Sequence, residues 1–423
     1  MTNNTVKLYP SSLNGSLDVI SSKSMTHRVI IASSLANETS VLTNVDLSND
    51  ILATIEAVKA YGTKVTIKNK TLKIEPSLKK TLKKKIIDCN ESGSTLRFFI
   101  PVIPMFSKKV TFTGAKSLLG RPMNIYEDIF RKSNSEFVQN SDSITVKGSV
   151  QAGEYIIDGS VSSQFFTGLM FVLPLLEKDS VIKVKGKLES KSYIDLTLQV
   201  LDKFGITIVE NNNTYYIQGN QTYKGRNMSV EGDYSQAAFM LVGGAINGHV
   251  KLNNLSNDSV QGDRVIIDQI ENMKGKIIRL EDGFSSLKAK TEGSIIDLAD
   301  CPDLGPILAL LGSLSKGSTK LINAERLKIK ESDRIESTVV TLQKLGATIS
   351  ATDSEIIIEG KDYLTGGVTL DSFNDHRIAM MISIAALRCK KPILLTNSKA
   401  VNKSYPHFFE DYMQLGGILE ILE

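Results

Sequence analysis

Two rhythms of apolar and polar residues alternate along the chain. One is a polar cluster followed by a run that is apolar on nearly every face. It appears as SKSMTHRVIIASSLA from Ser22, ESGSTLRFFIPVI from Glu91, SSQFFTGLMFVLPLL from Ser162, DYSQAAFMLVGGAI from Asp233, PDLGPILALLGSL from Pro302 and NDHRIAMMISIAAL from Asn374. Each run predicts a helix, and a helix apolar all round must be buried. The other rhythm is short alternation, as in VTIK, LKIE, IIDC, VTFTG, ITVKG and YYIQG, which predicts strands with one face covered.

The helical runs recur at a fixed period. Ser24, Gly93, Ser163, Ser235, Leu304 and His376 mark the same point in each, at separations of 69, 70, 72, 69 and 72 residues. A second marker falls between them, where a helix ends on glycine and a strand begins: Gly62 in AVKAYGTKVTI, Gly205 in VLDKFGITIVE, Gly346 in TLQKLGATIS and Gly416 in YMQLGGILEI. Glycine just past a helix is the usual left-handed cap. FRKSNSEFV and IENMKGKII are blurred copies in the two gaps. Together the markers give six units of roughly 70 residues, each with two helices and several strands.

This repeat predicts an α/β architecture with helices inside and sheets outside. Six units exceed what one core accommodates in 423 residues, so three plus three is the economical division. The expected domains are 14–231 and the discontinuous pair 1–13 with 232–423. The strand around Val6 to Tyr9 should complete the last unit, so the chain is expected to cross between domains twice.

Composition narrows the function. Hydrophobic residues are 41% and charged residues 23% of the chain, and no apolar run reaches membrane-span length. The opening MTNNTVKLYP lacks a signal-peptide layout, which makes the cytoplasm the expected compartment and a membrane an unexpected partner. Cys89, Cys301 and Cys389 are far apart, and with four histidines they argue against a metal site. A net charge of +4 suits small anionic substrates and is too weak and dispersed to argue for nucleic acid. The dense run Lys79 to Lys85 reads as a solvated loop.

The polar clusters carry the candidate chemistry. Helix starts offer free N–H groups and partial positive charge, and so bind anions. Lys23, Arg28, Arg121, Lys330, Arg334, Arg377 and Lys403 lie at or near such starts, and their side chains pair well with phosphate and carboxylate. If the starts converge and the two domains face each other, the result is an anion trap. Each string also has an ordinary reading: SSQF as a helix cap, ESDR as surface charge pairing, His376 as a structural hydrogen bonder, Asp303 as the cap of the helix after it. What the ordinary readings do not explain is all the strings at matched phases of one repeat.

The strings SKSMTHR, SSQF, ADCPDLG, IKESDR, FNDHR and NKSYP resemble those of the EPSP synthases, enolpyruvyl transferases of aromatic amino-acid biosynthesis, and the resemblance runs along essentially the whole chain. It implies a two-domain inside-out α/β barrel of six βαβαββ units. It implies transfer of the enolpyruvyl group of phosphoenolpyruvate to the 5-hydroxyl of shikimate 3-phosphate, with release of phosphate, no metal or organic cofactor, and a monomer. Carried residue by residue, Lys23, Ser24, Arg28, Ser162, Ser163, Gln164, Ser190, Tyr193, Asp303 and Lys330 match the shikimate-phosphate positions. Lys23, Gly93, Arg121, Gln164, Arg334, Arg377 and Lys403 match the phosphoenolpyruvate positions. Asp303 matches the base and Glu331 the proton donor, and Lys23 lies where developing charge is stabilised. The resemblance also places the inhibitor glyphosate in the phosphoenolpyruvate pocket. The chain departs from the common pattern at Glu91, Ser92, Phe98 and Arg326.

Two other readings compete. The UDP-N-acetylglucosamine enolpyruvyl transferases share the fold and type of chemistry, but typically carry lysine-asparagine at the first helix start and a reactive cysteine in a loop. Here Lys23 is followed by Ser24, and TGAKSLLGRPM has no cysteine. A non-enzymatic anion- or RNA-binding repeat protein is the other, against which stand the weak net charge and the paired acids Asp303 and Glu331.

Overall fold

The computed structural model describes residues 5–188 and 190–422. Its twelve principal helices come in six pairs, as the period predicts: α1 (Lys23–Leu35) and α2 (Asn49–Ala60); α3 (Gly93–Val102) and α4 (Asn124–Lys132); α5 (Ser163–Val172) and α6 (Lys191–Lys203); α7 (Tyr234–Asn247) and α8 (Ile266–Asn272); α9 (Gly305–Ser313) and α10 (Arg334–Lys344); α11 (His376–Ala386) and α12 (Phe408–Gln414). The first helix of each pair is the apolar one. Every residue of α9 and α11 is buried, as is every residue of α1 from Met25 onward. Each fully buried Leu, Ile or Phe contributes roughly 1.5–3 kcal/mol by leaving water. No helix among the described residues is long and apolar enough to cross a membrane.

The chain divides into two compact units, residues 21–230 and residues 1–20 with 231–423. Among the described residues each unit has three four-stranded sheets, and the second has an additional two-stranded one. Each four-stranded sheet has one parallel pairing and two antiparallel ones, as in Glu154–Asp158 parallel to Ser180–Lys185, which continues antiparallel to Thr214–Ile217 and Ile208–Asn211. Strand burial alternates, with one face on the helices and one toward solvent.

The first crossing lies later than the sequence suggests. The expected boundary put residues 14–20 with the 21–230 unit. The strand Leu13–Asp18 instead runs parallel to Gly248–Asn253, in register from Leu13 to Asp18, which keeps the chain in the other unit through Ile20. The strand Thr5–Tyr9 inserts antiparallel between Ile393–Thr396 and Ile418–Leu422.

In the 21–230 unit α1 packs on α3, and α3 on α5. At Gly168 of α5 there is no room for a side chain: an added Cβ would stand 2.2 Å from the Tyr126 hydroxyl of α4 and 2.7 Å from the Arg97 carbonyl of α3. In the other unit α7, α9 and α11 pack against one another. The second helix of every pair ends on a left-handed residue two positions past its last turn. These are Gly62, Asn134, Gly205, Lys274, Gly346 and Gly416, with φ of 101°, 51°, 80°, 62°, 90° and 97°. The blurred copies therefore keep the geometry with Asn134 and Lys274 in the glycine's place.

Candidate active site

In the unit that holds 231–423, three helix starts gather charge. Asp333 caps α10 by accepting from the backbone N–H of Ile335 (3.0 Å) and Glu336 (3.1 Å), which leaves Arg334 as the first helical residue with its side chain directed inward. Asp375 caps α11 by accepting from the N–H of Arg377 (2.9 Å). The helix α9 begins at Leu304 without a side-chain cap, and Asp303 lies in the 3₁₀ turn ahead of it. The aspartates of the ESDR and NDHR strings thus set the helix starts, while Asp303 is turned to the cations.

Asp303 sits among three of them. Its Oδ1 accepts from Arg334 Nη1 at 2.8 Å and lies 3.2 Å from Lys330 Nζ, and its Oδ2 lies 3.1 Å from Arg377 Nη2. Burial pushes this carboxyl upward, but Arg377, Lys330 and Arg334 outweigh it and hold the group well below the usual carboxylate range. Burial pulls the Lys330 amine down to about 8, against the pull of Asp303 and with the repulsion of Arg326 and Arg334 added. Arg334 is 1% exposed and also donates from Nε to Asp375 at 2.8 Å and from Nη2 to Glu331. Lys403 donates to the Asn374 carbonyl at 2.5 Å, just ahead of α11.

Glu331, Asp375 and His376 present ligand atoms within 4.8 Å of one another, among the described residues the one such acid–imidazole group. Arg334 already donates to both of its carboxylates. The positive charge that a metal ion would bring is supplied by the guanidinium, so these residues fit an ion-pair network better than a metal centre.

The 21–230 unit holds the rest of the sequence-predicted residues. Lys23, at the start of α1, pairs with Asp50 in the first turn of α2 at 2.8 Å. Arg28, one turn on, is buried and ties three helices together. It donates to the Ser24 carbonyl (2.7 Å), the Thr197 hydroxyl (2.8 Å), the Tyr193 carbonyl (3.0 Å) and the Thr167 hydroxyl (3.4 Å). Burial lowers its guanidinium to about 9, which leaves it charged at neutral pH. Ser162 caps α5 by accepting from the Gln164 N–H at 3.3 Å, and Ser163 follows it, buried. Ser190, buried and left-handed at φ 54°, precedes α6, where Tyr193 sits in the first turn.

Gly93 opens α3, and the groups around it converge. A Cβ on Gly93 would stand 3.0 Å from Arg121 Nη1, 3.6 Å from Gln164 Oε1 and 3.9 Å from Arg97 Nη1. Gln164 is itself oriented, accepting from Arg97 at 2.8 Å and donating to Ser94 at 3.1 Å. Arg121 Nε is buried and has no hydrogen-bond partner among the described residues. The arrangement is a helix N-terminus with two guanidinium groups beside it, suited to a small anion.

The structure thus brings Gly93, Arg121 and Gln164 together, and Asp303 with Lys330, Glu331, Arg334 and Arg377. It adds Asp50, Arg97 and Asp263, to which sequence reasoning gave no role, and it makes Asp375, placed at a helix start by the NDHR string, the partner of Arg334. Asp50 and Arg97 carried a usable signal, being polar residues in the first turns of repeat helices. Asp263 carried none. It is buried, accepts from the Ser235 hydroxyl, and is raised to about 7 by burial and then by the charge of Asp303.

The EPSP synthase (3-phosphoshikimate 1-carboxyvinyltransferase) family model matches residues 9–412. The 3-phosphoshikimate 1-carboxyvinyltransferase of Clostridium novyi is 45% identical, and that of Clostridioides difficile 43%, each alignment covering 98% of both chains. The chain belongs to the EPSP synthase family. Solved structures agree on the fold of this EPSP synthase family enzyme. The Acinetobacter baumannii EPSP synthase superposes with a TM-score of 0.84 at 24% identity, covering 99% of this chain and all of that one. The enolpyruvyl transferase NikO of Streptomyces tendae gives 0.82 at 14% identity, covering 99% of each. The two-domain inside-out α/β architecture is therefore that of the family.

Proposed function

We propose that this enzyme transfers the enolpyruvyl group of phosphoenolpyruvate to the 5-hydroxyl of shikimate 3-phosphate, with Asp303 as the base for that hydroxyl. The observation that carries the assignment is the setting of Asp303, an ionised carboxylate at the start of a buried helix with Lys330, Arg334 and Arg377 around it. A hydroxyl is a poor nucleophile and needs a carboxylate to take its proton. Three cations make Asp303 a weak base in the resting state. A substrate phosphate drawing Lys330 toward itself would relax that suppression and raise the basicity of Asp303 where it is needed.

The step balances as addition and elimination. The acceptor oxygen bonds to the central carbon of phosphoenolpyruvate as the methylene carbon gains a proton. Phosphate then leaves from the central carbon, and the methyl group gives a proton back to restore the double bond. Glu331 is the proton donor in this reading, and Lys23 stabilises charge as it develops. Lys23, Gly93, Arg121, Gln164, Arg334, Arg377 and Lys403 hold phosphoenolpyruvate. Lys23, Ser24, Arg28, Ser162, Ser163, Gln164, Ser190, Tyr193, Asp303 and Lys330 hold shikimate 3-phosphate. The reading takes the enzyme as a cytoplasmic monomer acting on small molecules alone.

Phosphate release is the test. It should require both substrates, and release without shikimate 3-phosphate, or none with it, overturns the assignment. Asp303→Asn should still bind shikimate 3-phosphate by calorimetry while turnover falls about 10²–10⁴-fold. Unchanged turnover would remove Asp303 from the chemistry.

A further inference from the structure

Lys23, Asp50 and Ser92 stand at the starts of α1, α2 and α3. One turn inward from each is a buried polar side chain: His27, Thr54 and Thr95. These three are joined in a single chain of hydrogen bonds. His27 Nδ1 meets Thr54 Oγ1 at 2.7 Å, and Thr54 Oγ1 meets Thr95 Oγ1 at 2.7 Å. The Thr95 hydroxyl donates to Ser92 Oγ at 2.7 Å, and the same oxygen accepts the Thr95 N–H at 3.2 Å as the cap of α3. All four side chains are 1% exposed or less.

Counting protons gives the chain a direction. A threonine hydroxyl has one proton to donate. That of Thr95 goes to Ser92, so Thr95 accepts from Thr54. The Thr54 proton is then spent, so Thr54 accepts from His27. His27 must carry its proton on Nδ1, which leaves Nε2 as a bare lone pair. Nε2 is the buried ring nitrogen without a hydrogen-bond partner among the described residues, and an orphaned acceptor is tolerated better than an orphaned N–H. Burial, with Lys23 and Arg28 nearby, holds the imidazole well below its ordinary value, so it is neutral and the direction is fixed.

We propose that His27, Thr54 and Thr95 are positioning residues for the phosphoenolpyruvate site, a polar collar that locks the starts of α1, α2 and α3 in one register. Apolar contacts tolerate a small slide of one helix along another. A directed chain of short bonds does not, because a shift of one residue's rise, about 1.5 Å, breaks it and leaves buried hydroxyls unpaired. What the collar holds in place is Lys23 with its partner Asp50, and the backbone at Gly93 beside Arg121. The proposal rests on the reading that Lys23 and Gly93 serve phosphoenolpyruvate.

Thr95→Val and Thr95→Ser test it, with Arg121→Ala as the control on the underlying reading. Thr95→Val keeps the shape and cuts the chain, and should raise KM for phosphoenolpyruvate about tenfold, the equivalent of one buried hydrogen bond, with kcat and shikimate 3-phosphate affinity, which also draw on Lys23, changed by a smaller factor. Thr95→Ser keeps a hydroxyl and should restore KM. Wild-type KM in Thr95→Val, equal rises in both variants, or a proportionate loss in kcat overturns the collar. Imidazole ¹⁵N shifts of the unmodified protein decide the matter even if Thr95→Val fails to fold: His27 should report the Nδ1–H tautomer, and an Nε2–H signal refutes the chain as directed. An unchanged KM for phosphoenolpyruvate in Arg121→Ala would strike the site reading itself, and the proposal with it. A raised KM there with a silent Thr95→Val would strike the collar alone.

Discussion

Arg334 donates to Asp375 twice, from Nε to Oδ2 at 2.8 Å and from Nη2 to Oδ1 at 3.2 Å, with both side chains out of contact with water. A guanidinium so buried stays charged because Asp375, Glu331 and Asp303 more than offset the penalty of burial. Removing one partner of a buried pair leaves an uncompensated charge, at a cost of about 3–5 kcal/mol. Asp375→Ala also removes the cap of α11, worth about 1 kcal/mol. Urea unfolding should show a large loss in Asp375→Ala and a smaller one in Asp375→Asn, which keeps an acceptor for both roles. Small and equal losses would mean that the pair holds nothing together.

Gly93→Ala should separate ligand effects from stability. The backbone at Gly93 is not left-handed, and the Cβ would meet only the ends of flexible side chains, Arg121 Nη1 nearest at 3.0 Å. Melting temperature should therefore hold, or rise slightly as the unfolded chain loses freedom. KM for phosphoenolpyruvate should rise, and the inhibition constant for the more extended glyphosate by a greater factor. A lower melting temperature with equal effects on both ligands would reduce Gly93 to a turn residue.

Lys330 predicts a pH dependence. Burial, more than the repulsion of Arg326 and Arg334, has brought its amine from 10.5 down to about 8, so the charge is present below that pH and is lost as pH rises through it. If Lys330 holds the dianionic acceptor, KM for shikimate 3-phosphate should climb between about pH 7.5 and 9. Lys330→Arg stays protonated throughout and should flatten the profile. A flat profile in the unmodified enzyme would detach Lys330 from the substrate.

Lys274 occupies a position that its counterparts fill with glycine or asparagine, at φ 62°. A side chain there carries a steric cost that glycine avoids. Lys274→Gly should stabilise the protein by about 1 kcal/mol in chemical denaturation without altering kcat. A loss of stability would show that the lysine side chain contributes more than its backbone costs.

The repeat was legible because helix starts and stops are written locally. Each of the six phase markers falls at the cap or in the first turn of its helix: Ser24, Gly93, Ser163, Ser235, Leu304 and His376. Even the two copies without a glycine stop turn left-handed at the same place, at Asn134 and Lys274. The partners of the charged residues were not legible. Lys23 finds Asp50, and Arg334 finds Asp303 and Asp375, 31 and 41 residues away, through the packing of helices on one another. The link from Arg28 to Thr197 spans 169 residues. Nor could the sequence assign Leu13–Asp18 to a unit. Its pattern, LNGSLD, buries only Leu13 and Leu17, and the strand is defined by a partner more than 200 residues downstream.

The strand Thr5–Tyr9 has a consequence for how the protein matures. During synthesis it leaves the ribosome long before either of its neighbours, Ile393–Thr396 and Ile418–Leu422. At roughly 5–20 residues per second the wait is on the order of 20–80 s. Throughout it Val6 and Leu8, which end up buried, have no surface to cover them. The 21–230 unit draws every strand of its three sheets from its own residues and can close while translation continues. A nascent chain stalled before residue 393 would therefore carry one finished unit and one exposed, strand-forming segment ahead of it, and the second unit can set only after the chain has returned to where it started.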